Sequence, residues 1–201
     1  MISGRAKEAL YLVSNHLKGV DLRHVSVEDL GLSPGRSEHY ASSGGPQLAQ
    51  VLKNLGIPNG SRALDLGCGK GGAVFTLAEF PFLEVLGVEL SDELVHIAKA
   101  NALRLRVPPH VSFVCCDASL FTDYDRFTHL YMYNPFPSVV VQDVMKHVAS
   151  SLSRMPRRLV LIYKNPVCHD DIVASRILTV QNDFKFGAGL NDTFRVYLHE
   201  P

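Results

Sequence analysis

Three acidic residues, Asp65, Glu89 and Asp117, close three successive apolar runs, "RALDL", "EVLGVEL" and "VSFVCC". A carboxylate at the end of a buried apolar run is unfavourable without a partner, so each implies a cation or hydrogen-bond donor nearby. The first is followed at once by a glycine-rich turn, "DLGCGKGG", which contains two overlapping spacings. Gly67-x-Gly69-x-x-Gly72 is the spacing of a dinucleotide turn, and Asp65-x-Gly67-x-Gly69-x-Gly71 is a different pattern. A fourth run, "THLYMY", leads into Asn134-Pro135-Phe136. An asparagine side-chain oxygen and a proline carbonyl are both hydrogen-bond acceptors.

These residues need a scaffold, and the chain supplies an alternation. Strand-like runs at "RALDL", "EVLGVEL", "VSFVCC", "THLYMY" and "RLVLIY" are separated by helical segments. The helices are expected at Gly72–Phe80, Ser91–Arg106 and Val139–Leu152, with a short one at Asp170–Arg176. Ser91 is a good N-cap, and Asp92 and Glu93 complement the positive helix end. Alternating strands and helices make a mostly parallel sheet covered on both faces. The last two strands, near Ile177–Phe186 and Thr193–His199, have only "GAGLND" between them. They must pair antiparallel, because a parallel pair needs a long crossover. The expected fold is α/β, doubly wound, with a mostly parallel seven-stranded sheet and a C-terminal antiparallel hairpin.

In such a sheet, ligands sit at the carboxyl ends of the strands. Glycines there bring a ligand close to the main chain, although a tight turn with nothing bound uses them too. Asp65 separates two ligands. It would repel a pyrophosphate, whereas S-adenosylmethionine has a sulfonium, an ammonium and no phosphate. Glu89 suits ribose hydroxyls with either cofactor, or serves as a cap-region acid. Asp117 is a ligand residue or a helix N-cap.

"LDLGCGKG" resembles the first motif of the class I S-adenosylmethionine-dependent methyltransferases. The resemblance spans roughly residues 61–165 and implies the seven-stranded fold with its terminal hairpin. It implies a cofactor set of Asp65, Gly67, Cys68, Gly69, Gly71, Glu89, Leu90, Asp117, Ala118 and Asn134. Asp117 would accept the adenine amino group and Ala118 would offer its backbone N–H. Asn134-Pro135-Phe136 is a partial match to the amino-methyltransferase motif, with one proline where that motif often has two. The implied reaction is direct displacement at the sulfonium methyl, with Asn134 and Pro135 holding a nitrogen acceptor. Phe136 either stacks on the substrate or packs as core. A lysine acceptor would first have to lose a proton, and no residue stands out as the base. Tyr40, Ser42 and Ser43 can close over the methionine end of the cofactor, or belong to a polar loop.

Residues 1–45 read as an N-terminal extension of the domain 46–201. Residues 2–18 pattern as an amphipathic helix with Ala6, Ala9, Leu10, Val13 and Leu17 on one side. A Gly/Ser/Pro-rich loop follows, and Pro46 opens the next helix. Three rival functions remain at this point. An NAD(P)-dependent oxidoreductase uses Gly67, Gly69, Gly72 and Glu89 but leaves Asp65, Asp117 and the hairpin unexplained. A non-catalytic S-adenosylmethionine-binding module predicts binding without transfer. Aminopropyl transfer from a decarboxylated cofactor is a minor option on the same fold.

The 201 residues include 20 basic and 20 acidic side chains, so bulk charge favours neither nucleic acid nor membrane as partner. A local basic patch such as Arg154, Arg157 and Arg158 reads rather as a solvated turn before a strand. A protein side chain or a small molecule is the acceptor this composition supports. Four cysteines without a C-x-x-C pair suggest no disulfide framework and no metal site. No apolar run approaches a membrane span. The N-terminus also lacks the apolar core of a secretory signal, so a cytoplasmic setting is expected. Oligomeric state is not legible.

Overall fold

The computed structural model describes residues 4–26 and 42–201. Five parallel strands form most of one sheet: β1 (Arg62–Leu66), β2 (Glu84–Glu89), β3 (Val111–Cys115), β4 (His129–Tyr133) and β5 (Leu159–Lys164). β6 (Thr179–Lys185) and β7 (Thr193–His199) complete it in the order β3-β2-β1-β4-β5-β7-β6. β7 runs antiparallel to both neighbours, as the short "GAGLND" connection requires. The order reverses beside β1, with β2 on one side and β4 on the other. This is the switch point where an open α/β sheet forms its crevice.

Alternation sorts the side chains into two cores. Leu64, Leu66, Val88, Leu130, Met132 and Leu161 meet α5 (Ser138–Arg154) and α6 (His169–Ala174) on one face. Ala63, Val85, Tyr131, Val160 and Ile162 meet α2 (Pro46–Leu55) and α3 (Gly72–Leu77) on the other. α4 (Asp92–Leu105) packs along β2 and β3. Ser91 caps α4, its hydroxyl accepting from the Leu94 N–H at 3.3 Å. α3 is shorter than expected, because Glu79 and Phe80 turn back onto Thr76 and Leu77 before Pro81.

Helix α1 (Gly4–Leu17) is present, but it is rotated from expectation. Leu10, Val13 and Leu17 are exposed, and Tyr11 and Asn15 face inward. The reason lies at the start of α2. Gly45, its N-cap, has no side chain with which to cap. The Glu8 carboxylate of α1 substitutes, accepting the Gln47 N–H at 2.8 Å. The polar side of α1 docks because it satisfies a helix end.

The arginine cluster is structural. Arg157 donates to the carbonyls of Phe127, Tyr124 and Met155, Arg154 pairs with Asp125, and Arg158 pairs with Glu200. All four cysteines are free thiols. Among the described residues, no group of side chains could hold a metal ion and no helix is long and apolar enough to cross a membrane.

His129 gives the fold a pH dependence. It is buried at the start of β4, edge-on to Phe82 with ring centroids 5.2 Å apart. Burial, and then the positive charge of Arg158, lower its pKa to about 4. The unfolded chain titrates near 6.5, so it takes up a proton that the folded chain refuses. This contribution is fully present above about pH 6.5 and is lost as the pH falls to about 4, a change on the order of 3 kcal/mol. Urea melts of wild type and His129→Gln between pH 7 and 4 should show a shallower acid loss in the variant. Parallel curves would reject the assignment.

Candidate active site

β1 ends at the switch point with Asp65, on the face that Ala63 shares with α2 and α3. Asp65 is 2% exposed, and its Oδ2 is buried with no hydrogen-bond partner among the described residues. Burial, reinforced by the nearby Glu89 carboxylate, pushes its pKa well above the usual carboxylate range. Glu89 ends β2 and is better satisfied. Its Oε2 accepts the Gly69 N–H and its Oε1 the Ser91 N–H, both at 2.9 Å. It thereby ties the glycine turn to the start of α4, and each oxygen keeps a second lone pair.

The turn itself decides between the two glycine spacings. Gly67, Gly69 and Gly71 have φ of 78°, 52° and 90°, whereas Gly72 has no positive φ. The backbone therefore requires the pattern Gly67-x-Gly69-x-Gly71. The Gly67 and Cys68 N–H groups both donate to the Val88 carbonyl, extending the β1–β2 pairing into the turn. Buried Cys68 fills the space beside Gly87, where an added Cβ would lie 2.6 Å from its sulfur.

The turn after β4 packs directly on this one. A Cβ at Gly67 would lie 2.3 Å from Pro135 Cβ. Asn134 takes a left-handed φ of 37°, and its Oδ1 accepts the Tyr163 hydroxyl at 3.2 Å. The Tyr163 oxygen in turn accepts the Cys168 N–H at 3.3 Å, which fixes Asn134 through β5. Phe136 is buried in the apolar cluster with Met132 and Val140, so packing is the role its placement fulfils. Asn165, at the end of β5, is left-handed too, and its N–H donates to the Thr193 carbonyl.

The third acid is followed by a turn and not by a helix, so it is no helix N-cap. Asp117 Oδ1 accepts the Ser119 N–H at 2.8 Å and the Ser119 hydroxyl at 2.7 Å. Ala118 is buried beside Phe121, and the Leu90 carbonyl accepts the Cys115 thiol. The Ser43 carbonyl accepts the Tyr131 hydroxyl at 3.2 Å, joining the extension to β4. Ser42 Oγ is buried without a partner against Gly72. Tyr40 lies outside the described residues.

Residues 63–156 match a family model described as a methyltransferase domain. Over these residues the chain is similar to methyltransferase domains. A phosphoethanolamine N-methyltransferase from Triticum aestivum is 30% identical over 112 residues, 55% of this chain and 20% of that relative. A release factor glutamine methyltransferase from Aliivibrio fischeri is 40% identical over 57 residues, 28% of this chain and 20% of that relative. The chain thus spans about a fifth of the curated relatives it matches. The glycopeptide N-methyltransferase MtfA, solved with S-adenosylmethionine, shares the fold with a TM-score of 0.61 at 15% identity. That likeness covers 79% of this chain and 95% of MtfA. Magnesium protoporphyrin IX methyltransferase from Synechocystis PCC 6803 gives 0.57 at 17% identity, covering 77% and 76%.

Two buried lysines near these strand ends were missed by sequence reasoning. Lys70, inside the glycine turn, has a buried side chain whose Nζ lies 3.0 Å from Asp21 Oδ2. Lys164, at the end of β5, places its Nζ 4.4 Å from the centre of the Tyr133 ring and 5.4 Å from that of Phe194. The three are cross-strand neighbours in the register of β4, β5 and β7. Burial lowers the Lys164 pKa, against the opposing charges of Glu8 and Asp192. A lysine closing the continuous apolar run "LVLIYK" was the available signal for Lys164. Lys70 had none, since its partner is distant in sequence.

Proposed function

We propose that this chain transfers a methyl group from S-adenosylmethionine to a nitrogen of a protein side chain or small molecule. The observation that carries the reading is the buried Asp65 oxygen without a partner, beside a turn whose glycines are required by the backbone. A cationic group placed there would satisfy it, and a pyrophosphate would be repelled. Asp65 takes the ammonium of the methionine end, with Gly67, Cys68, Gly69 and Gly71 forming the close wall. Glu89, with Leu90 beside it, takes the ribose through its remaining lone pairs. Asp117 and Ala118 border the adenine, and Ser43 of the extension 1–45 covers the methionine end of the domain 46–201.

The bound cofactor supplies an electrophilic methyl on a sulfonium. The protein contributes position and exclusion of water. Asn134 Oδ1 has one lone pair left after the Tyr163 hydroxyl, and with the Pro135 carbonyl it holds the acceptor N–H groups. The relatives named for N-methylation support a nitrogen acceptor. The balanced charge favours a small molecule or an exposed protein side chain over nucleic acid. Four free thiols fit a cytoplasmic setting.

The test is transfer of labelled methyl from the cofactor into fractionated lysate. Wild type should label one class of acceptor and Asp65→Ala none. Asn134→Ala should lower kcat about 100-fold while S-adenosylhomocysteine affinity stays within about threefold. Cofactor binding without transfer to any fraction would make this a binding module.

A further inference from the structure

The side chain of Lys70 leaves the glycine turn inward and away from solvent. It is 3% exposed, and Asp21, from the segment that follows α1, meets it at 3.0 Å. Burial alone would raise the Asp21 pKa, yet hydrogen bonds from Arg23 and Lys70 hold it at about 2, so the carboxylate stays charged. Fully buried Asn101, on α4, closes the arrangement. Its Oδ1 accepts the Asp21 N–H at 3.0 Å. Its Nδ2 donates to the Asp21 carbonyl at 2.9 Å and to the Lys70 carbonyl at 3.1 Å. Side chain and backbone of residue 21 are thus both bound to residue 70, directly or through one amide.

Three further contacts put the same extension on α3, the helix that the turn opens. Val20 and Leu22 are buried with Phe75 of α3. Gly44 lies flush on Gly72, where a Cβ would come 1.9 Å from the Gly72 carbonyl oxygen. The Gly45 N–H donates to Thr76 Oγ1 at 2.7 Å. The extension therefore grips residues 69–76 from both of its described ends.

We propose that Asp21 and Asn101 are positioning residues that couple docking of residues 20–23 to the shape of the cofactor turn. Docking of the extension and binding of the cofactor then strengthen each other by the same factor, because coupling between two equilibria is reciprocal. Asn101 holds the Asp21 backbone and the Lys70 carbonyl at once, and the Asp21 carboxylate meets the Lys70 ammonium, so a shift of residue 21 pulls on Lys70. The turn that Lys70 belongs to moves with it. This coupling rests on the cofactor assignment proposed above.

The experiment uses the full chain and S-adenosylhomocysteine. Calorimetry on wild type, Asp21→Asn, Asp21→Glu and Asn101→Ala is combined with hydrogen exchange over residues 19–25. Asp21→Asn and Asn101→Ala should bind about tenfold more weakly, and Asp21→Glu within about threefold of wild type. The ligand should slow exchange at residues 19–25 in wild type and not in Asp21→Asn. The wild-type exchange result decides the matter even if a variant does not fold. Unchanged affinity in the variants, or no ligand protection in wild type, overturns the coupling alone. Failure of wild type to bind overturns the cofactor assignment and the coupling together.

Discussion

Asp65→Asn is expected to raise the stability of the ligand-free protein and to weaken S-adenosylhomocysteine binding at least about 100-fold. Both effects have one cause. The Asp65 carboxyl is buried, its Oδ2 has no partner, and Glu89 adds a like charge. With its folded pKa raised, its contribution is most favourable below the unfolded value near 3.9 and is lost as the pH rises through the folded value. Near neutral pH the ligand-free fold bears that penalty, and an amide of equal shape removes it, for a gain of about 1–3 kcal/mol. The same amide loses the charged hydrogen bond to the ligand ammonium, about 3 kcal/mol or 100-fold. Melting from pH 6 to 9, with calorimetry on the same samples, checks both halves. Wild-type affinity in Asp65→Asn would remove the basis for the functional reading.

Gly67→Ala is expected to damage fold and function together. A left-handed φ of 78° strains any L side chain, and the new Cβ would stand 2.3 Å from Pro135 Cβ. The proline ring cannot rotate aside, so the turn holding Asn134 must shift. Backbone strain and overpacking together should lower stability by about 3 kcal/mol. Methyl transfer should fall about 100-fold even where the variant is folded, because the acceptor groups are displaced relative to the cofactor turn. Gly60→Ala is the control. Its φ is 85° and an added Cβ meets nothing within 4 Å, so it carries backbone strain alone, about 1 kcal/mol. Equal losses in the two variants, by urea melts and transfer rates, would show that Pro135 does not seal the turn.

Most of the architecture was legible because it rests on local patterns. Buried parallel strands read as apolar runs, Ser91 marks a helix start, and the short final connection dictates an antiparallel pair. The amphipathic reading of α1 failed at its rotation. Hydrophobic periodicity assumes that a helix docks by its apolar side, whereas α1 docks by Glu8, Tyr11 and Asn15 because α2 lacks a cap. Phe136 shows a similar limit. An aromatic after Asn-Pro reads equally as a stacking surface or as core, and only its neighbours place it in the core.

The sequence by itself determined where the strands fall along the chain and the acids that end them. Each of these follows from residues close together along the chain. Only the tertiary structure decided which of those acids is satisfied. Glu89 spends its oxygens on Gly69 and Ser91, Asp117 on Ser119, and Asp65 Oδ2 has no partner. It alone joined Lys70 to Asp21 and Asn101 to Asp21, across separations of 49 and 80 residues. No periodicity reaches that far, because the energy of a buried polar group depends on whichever distant group the fold brings to it.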